Sequence, residues 1–207
     1  KMLRPILVLL SGQVARNPED PPLALNSPHI TLATVVEMVH MATLVHDDIL
    51  DGAEVRRRGA TINHLHGNEA AVLLGDYLIS HAYHLCSSLD NQQYARLVAH
   101  TTNVVCEGEL TQNFNRRNWS LSETVYFDII YRKTAILTET CCRLGAMAST
   151  TNTARIAALA EYGKKIGLAF QIIDDVLDIC GSTKTVGKSL GTDIEKGKLT
   201  LPMLHFL

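Results

Sequence analysis

The chain has 207 residues, enough for one domain with a sizeable core, and 46% of them are apolar. Charged residues make up 19%, below the roughly 25% usual in proteins, which suits a body with much buried helical surface. A net charge of −2 excludes a global basic field for nucleic acid, and no apolar run reaches the roughly 18 residues of a membrane span.

Taken in chain order, the periodicity is helical and no convincing run of alternating strands occurs. The start, Lys1-Met2-Leu3-Arg4-Pro5, reads as a cut through structure. The stretch from Asn17 to Pro28 contains Pro18, Pro21, Pro22 and Pro28 and reads as a surface loop. From Ile30 to Leu50, apolar Leu32, Val35, Val36, Val39, Ala42, Leu44 and Val45 make a helix face, which Gly52 stops. Asn68 can cap a helix that runs past Tyr83, and Asp90 another reaching about Gln112. Ser120-x-x-Glu123 is a capping box that opens a helix to about Ala148. Thr151 or Asn152 opens the last long helix, which runs to Ile179 and stops at Gly181. Gly181 to Pro202 then has four Gly and four Lys among small polar residues, the composition of a flexible lid. The end, Leu201 to Leu207, is apolar and helix-like, and also reads as a cut. One all-α domain over residues 1–207, incomplete at both ends, is therefore expected.

Five cysteines, Cys86, Cys106, Cys141, Cys142 and Cys180, include no C-x-x-C pair. Neither a disulfide framework nor a zinc site is implied, and buried reduced thiols suit a cytoplasmic protein.

The chemistry concentrates in carboxylates. Asp47-Asp48-x-x-Asp51 closes the Ile30–Leu50 helix, with Asp47 and Asp51 at i and i+4 on one face and Asp48 about 100° around. Like charges repel at that spacing, and the macrodipole at a helix C-terminus prefers cations. Such a cluster needs a counter-charge. The same pattern recurs as Asp174-Asp175-x-x-Asp178, again at the end of a long helix and again before a glycine turn. Two matching clusters point to hard cations. Mg2+ in particular is held by one or two carboxylates plus substrate phosphates and water. A catalytic pair for hydrolysis fits less well, because no carboxylate is isolated enough to hold a raised pKa.

Basic groups supply the complement. Arg56-Arg57-Arg58 follows the first cluster, and Arg suits bidentate phosphate contact. Lys1 and Arg4 lie one turn apart, and Arg132-Lys133-Thr134 sits in mid-helix. In the lid stretch Gly187-Lys188, Gly191-x-Asp193 and Gly197-Lys198, the lysines put ammonium groups where a closing lid would meet a phosphate. His40 lies two helical turns before Asp47, on the same face, and reads on its own as a core or capping residue.

Together these residues resemble the trans-isoprenyl diphosphate synthases, the polyprenyl synthetase family, from Lys1 to Pro202. Both aspartate clusters, the Arg pair, Gly75-Asp76, Lys133-Thr134, Gln171 and the Gly-Lys lid stand in that family's order. One departure is Arg58, which intervenes between the Arg pair and Gly59. The resemblance implies a bundle of long, mostly antiparallel helices around a central cavity. It implies a prenyltransferase that condenses an allylic diphosphate (dimethylallyl, geranyl or farnesyl) with isopentenyl diphosphate to an all-trans product. Mg2+ is implied, or Mn2+ in its place, as three ions with substrate bound. Asp47, Asp51 and Asp174 look like the ligands, with Asp48, Asp175 and Asp178 supporting them. Arg56, Lys133, Lys188 and Lys198 look like ligands of the allylic diphosphate. Lys1, Arg4, His40 and Arg57 look like the isopentenyl diphosphate pocket, and Thr134 and Gln171 like groups beside the reacting carbons. A homodimer is also implied.

The growing chain is expected to run along the first aspartate helix, away from Asp47. Ala42 and Thr43, then Met38 and Val39, form its floor. None is aromatic, so a product longer than C15 is expected. A class I terpene cyclase would carry an Asn/Ser/Glu motif in place of the second cluster. A non-catalytic partner subunit would tend to lose motif aspartates, and none is lost here.

Overall fold

The computed structural model describes residues 2–21, 28–56, 59–181 and 192–206. Seven long elements carry the fold. They are α1 (Leu3–Ala15), α2 (Pro28–Leu50), α3 (Ile62–Ser87), α4 (Gln92–Phe114), α5 (Glu123–Ile130), α6 (Ile136–Met147) and α7 (Thr153–Cys180). Short α8 (Thr192–Glu195) and α9 (Leu201–Phe206) follow. The all-α expectation holds among the described residues, with one addition. Val55–Arg56 (β1) and Gly59–Ala60 (β2) pair antiparallel as a two-residue ribbon, Val55 opposite Ala60 and Arg56 opposite Gly59. Lys1, Arg57, Arg58 and Lys188 lie outside the described residues.

α1 is an addition to the expected helices. Several boundaries move for local reasons. α3 starts at Ile62, where the Thr61 side chain accepts from the His64 N–H, and it bends at Gly67 (φ 84°) just before the expected cap Asn68. α4 is capped by Asn91 rather than Asp90, its Oδ1 taking the Gln93 N–H at 3.0 Å. The capping box at Ser120 does not form. The Ser120 N–H is held by Asn118 Oδ1, and Ser122 caps α5 through the Val125 N–H. Nor is the helix continuous to Ala148: Tyr131–Ala135 is a π turn between α5 and α6. Asn152 caps α7 through two N–H groups, as expected.

α2 packs most extensively on α3, α6 on α7, and α1 on α6. Leu7 and Val8 of α1, Leu32, Val35, Val36 and Val39 of α2, Ala82 and Cys86 of α3, and Leu137, Cys141, Cys142 and Leu144 of α6 make the main core. α2 is long and apolar enough to cross a membrane by length and composition, contrary to the expectation from its sequence, but it lies in this core with half of that stretch buried. A second cluster joins Leu121, Tyr126, Ile129 and Ile130 to Leu199, with Leu168 and Ile172 of α7 against it. This smaller core fixes α5, the end of α7 and the 199–204 segment around the charged groups.

Candidate active site

α2 ends in a turn built for its glycine. Gly52 takes φ 59°, its N–H bonds the Ile49 carbonyl at 3.1 Å, and the Ala53 N–H bonds the Asp48 carbonyl at 2.8 Å. These two bonds close the last carbonyls of α2 in a Schellman arrangement. Thr61 Oγ1 and Asn63 Nδ2 donate to the Ala53 carbonyl at 2.6 and 3.1 Å and brace the turn. The ribbon that follows brings Arg56 back over the helix end, where its Nε donates to buried Asp48 Oδ1 at 2.6 Å.

Asp51 faces the opposite end of the chain. Lys196 and Lys198 approach it at 3.3 and 3.4 Å, and Arg116, just beyond the end of α4, at 3.9 Å. Burial alone would raise its pKa, but the two lysines outweigh burial and hold the carboxyl below the usual range. Asp47 is compensated less, by Lys133 and Arg56. Burial pushes it up to about 6, with Lys133 opposing and Glu109 and Asp51 reinforcing.

Lys133 sits in the π turn. Burial alone would lower its pKa, yet Glu109, Asp47 and Asp51 raise it, so its ammonium stays charged. It pairs with Glu109 and donates to Gln112 Oε1 at 3.0 Å, both on α4. α4 comes this close because residue 108 is glycine: a Cβ there would lie 2.7 Å from Arg132 Cβ and 2.9 Å from the Lys133 amide nitrogen. π turns are rare and concentrate at functional sites.

The second cluster divides into different environments. Asp174 is half-buried, while Asp175 and Asp178 are buried. Asp178 Oδ2 accepts the Asp193 N–H at 3.3 Å and so ties α8 to α7. Asp175 accepts from Gln171 Nε2 at 2.8 Å and from Tyr126 OH at 2.6 Å, and Thr134 Oγ1 donates to Gln171 Oε1 at 2.8 Å. Burial raises Asp175 against these two hydrogen bonds, and burial with the neighbouring Asp175 charge raises Tyr126.

Asp47, Asp48, Asp51, Arg56, Lys133 and Lys198 are thus brought into one charged group, with Thr134, Gln171 and Asp175 in a linked chain. The 192–200 part of the expected lid is anchored rather than loose, through Asp178, the Lys196 and Lys198 pairs, and the Arg117 N–H bond to the Gly197 carbonyl at 2.7 Å. Gly75, of the Gly75-Asp76 pair, lies under the His46 ring, whose Nε2 is 3.6 Å from Asp76. Arg4 is half-buried on α1 and His40 is buried on α2. Ala42 is fully buried, and Thr43 turns its hydroxyl to the His40 carbonyl at 2.8 Å. Met38, about 180° around α2 from Asp47, lines a separate apolar cleft of about 330 Å3 with Met2, Pro5, Ile30, Met41 and Leu78. Residues not anticipated from sequence are Glu109, Gln112, Arg116, Tyr126 and Lys196. Gly108-Glu109 was the one available signal, a small residue beside an acid on a helix face.

Among the described residues, no three His, Cys, Asp or Glu side chains converge to hold a metal by themselves. An all-oxygen donor set and an undercompensated Asp47 fit a hard cation.

A sequence profile of the polyprenyl synthetase family matches residues 1–207. The chain is 38% identical to an octaprenyl diphosphate synthase of Haemophilus influenzae, covering 99% of this chain and 60% of that protein. It is 36% identical to heptaprenyl diphosphate synthase component 2 of Bacillus subtilis, covering 100% of this chain and 58% of that protein. The crystal structure of a polyprenyl synthase from Caulobacter crescentus, complexed with calcium and isoprenyl diphosphate, superposes with a TM-score of 0.91 at 36% identity, over 99% of this chain and 60% of that one. The chain thus spans about three-fifths of the length of these relatives.

Proposed function

The chain belongs to the polyprenyl synthetase family, and we propose that it carries the catalytic centre of a Mg2+-dependent synthase making all-trans polyprenyl diphosphates longer than C15. The substrates are isopentenyl diphosphate and an allylic diphosphate of the dimethylallyl, geranyl or farnesyl type. One observation carries the reading: Lys198, downstream of the second aspartate cluster, lies 3.4 Å from Asp51 of the first, beside Lys133. Chain elements far apart in sequence thereby converge as acids and bases around one place for a diphosphate.

In the proposed reaction the allylic C–O bond breaks and its electron pair leaves with diphosphate. The double bond of isopentenyl diphosphate supplies the electrons of the new C–C bond. One proton is then lost, with diphosphate as acceptor. Mg2+ held by Asp47, Asp51 and Asp174, three ions with substrate bound and with Asp48, Asp175 and Asp178 beside them, would supply Lewis-acid neutralisation of the leaving group. Lys133, Lys198, Lys188 and Arg56 hold the allylic diphosphate, and Lys133 remains protonated because three carboxylates surround it. Lys1, Arg4, His40 and Arg57 hold isopentenyl diphosphate. Thr134 and Gln171 lie beside the reacting carbons, where a water-poor site protects the cation. Ala42 and Thr43, neither of them aromatic, are the assigned floor of the path taken by the growing chain. Relatives named for octaprenyl and heptaprenyl products support the length assigned.

Exposed Leu73 and Tyr77 of α3 and Leu110 and Phe114 of α4 support a homodimer, and reduced cysteines support a cytoplasmic location. Likeness to a component 2 favours a second reading, in which a different subunit completes the enzyme. The test is incubation of the full-length protein alone with isopentenyl diphosphate and C5, C10 or C15 primers, with Mg2+ or with EDTA, followed by product sizing. Mg2+-dependent products above C15 are expected. Products that stop at C15 refute the length assignment. Absence of condensation refutes the self-sufficient enzyme, and recovery on adding a second subunit would establish the alternative.

A further inference from the structure

Tyr126, Asp175, Gln171 and Thr134 form one hydrogen-bonded chain across α5, α7 and the π turn. A carboxylate only accepts, whereas a primary amide has one accepting and one donating end. Both oxygens of Asp175 receive a donor: Tyr126 OH at 2.6 Å on one, Gln171 Nε2 at 2.8 Å on the other. The Gln171 amide is thereby oriented, nitrogen towards Asp175 and oxygen towards Thr134. The Thr134 hydroxyl must then donate, to Gln171 Oε1 at 2.8 Å. The phenol is nearly inaccessible at 2% exposure, and Asp175 is at 4%, so water does not compete for either group.

We propose that Asp175 and Tyr126 are positioning residues, not metal ligands, which fix the direction of this chain so that Thr134 presents only lone pairs to its remaining neighbours. An oxygen in that state stabilises adjacent positive carbon and offers no proton to it. The catalytic consequence rests on the condensation reading, but the polarity itself does not.

The design of the chain permits a charge-swap test. In Asp175→Asn, the Leu201 backbone N–H on the Tyr126 oxygen keeps the phenol proton directed at residue 175, so the Asn oxygen accepts from Tyr126 and its NH2 faces Gln171. The Gln171 amide turns over, its NH2 donates to Thr134, and the threonine proton points away. Turnover should fall on the order of 10²-fold, the usual scale for loss of one preorganised electrostatic group. KM for both substrates and the Mg2+ concentration for half-activity should stay near wild type. Thermal stabilisation by Mg2+ with inorganic diphosphate should also persist. Adding Gln171→Glu to Asp175→Asn restores an acceptor opposite Thr134, and the double variant should recover most of the lost turnover. Neutron diffraction of the perdeuterated wild type should place the Thr134 deuteron towards Gln171 and the Gln171 nitrogen towards Asp175.

Wild-type turnover in Asp175→Asn, no recovery in the double variant, or a Gln171 nitrogen facing Thr134 would each overturn the proposal. So would a large rise in the Mg2+ requirement of Asp175→Asn, which would make Asp175 a ligand. If the neutron map shows the stated polarity but the wild type does not condense, the condensation reading falls and the polarity stands.

Discussion

Asp47 and Asp51 lie one turn apart on α2, yet their environments drive them in opposite directions, up to about 6 for Asp47 and down for Asp51. The difference is the position of the cations. Lys196 and Lys198 reach Asp51, whereas Asp47 shares Lys133 with Glu109. Replacing Lys133 by Ala removes the cation acting most strongly on Asp47 and takes from Glu109 its ammonium partner. Its kcat should fall on the order of 10²-fold with the fold retained, as steady-state kinetics and circular dichroism would show. A second residue controls stability. Burial lowers the pKa of His29, which is 3% exposed and hydrogen-bonded to Ser149 Oγ at 2.8 Å. The unfolded chain therefore binds this proton more readily, and stability is lost as pH falls below the ordinary value of 6.5. The melting temperature should drop between pH 7.5 and 5.5, and His29→Asn should show a smaller drop. Both aspartate clusters were legible because i, i+4 spacing declares a shared face. Tyr126, Arg116 and Lys196 were not, because they matter only through partners distant along the chain.

At the scale of elements, the long helices were readable from apolar periodicity and the Asn152 cap, and α2 was placed to within two residues of its start. The stretch from Ser120 to Ala148 was not, for two physical reasons. Ser120 and Ser122 are both N-cap residue types, Ser120 alone has Glu three residues on, and only tertiary placement decides that Ser122 caps α5. Ser122→Ala should cost about 1 kcal/mol and Ser120→Ala far less, measured by chemical denaturation. The π turn at Tyr131–Ala135 has no Gly or Pro to announce it. It exists where α4 and α7 both press on the same turn, through Gly108 and through the Thr134–Gln171 bond. Gly108→Val would drive a side chain into Arg132 and the Lys133 backbone. A loss of about 1–3 kcal/mol is expected from such overpacking, with kcat reduced beyond what the residual folded fraction explains.

α2 has two roles in the fold: its C-terminal end carries the first carboxylate cluster, and its middle lies in the core. Ala42 is the point where these roles meet. It is fully buried, so Ala42→Phe distinguishes an open channel from close-packed core. Shorter products at an unchanged melting temperature are expected. A large fall in melting temperature with unchanged product length would put Ala42 in the core alone. The all-α class was legible because helical periodicity is a local signal. The anchoring of residues 192–200 on Asp178 of α7 and on Arg117, just beyond α4, was not, since a Gly- and Lys-rich composition looks the same bound or free. We propose that the two aspartate clusters are halves of one Mg2+–diphosphate clamp, and calorimetric titration of inorganic diphosphate into the full-length protein reads this out, with and without Mg2+, for wild type, Asp47→Ala and Asp174→Ala. Mg2+-dependent binding in the wild type, abolished by either substitution, is the expected result. Binding that needs no Mg2+, or that survives the loss of Asp47 or Asp174, would contradict it.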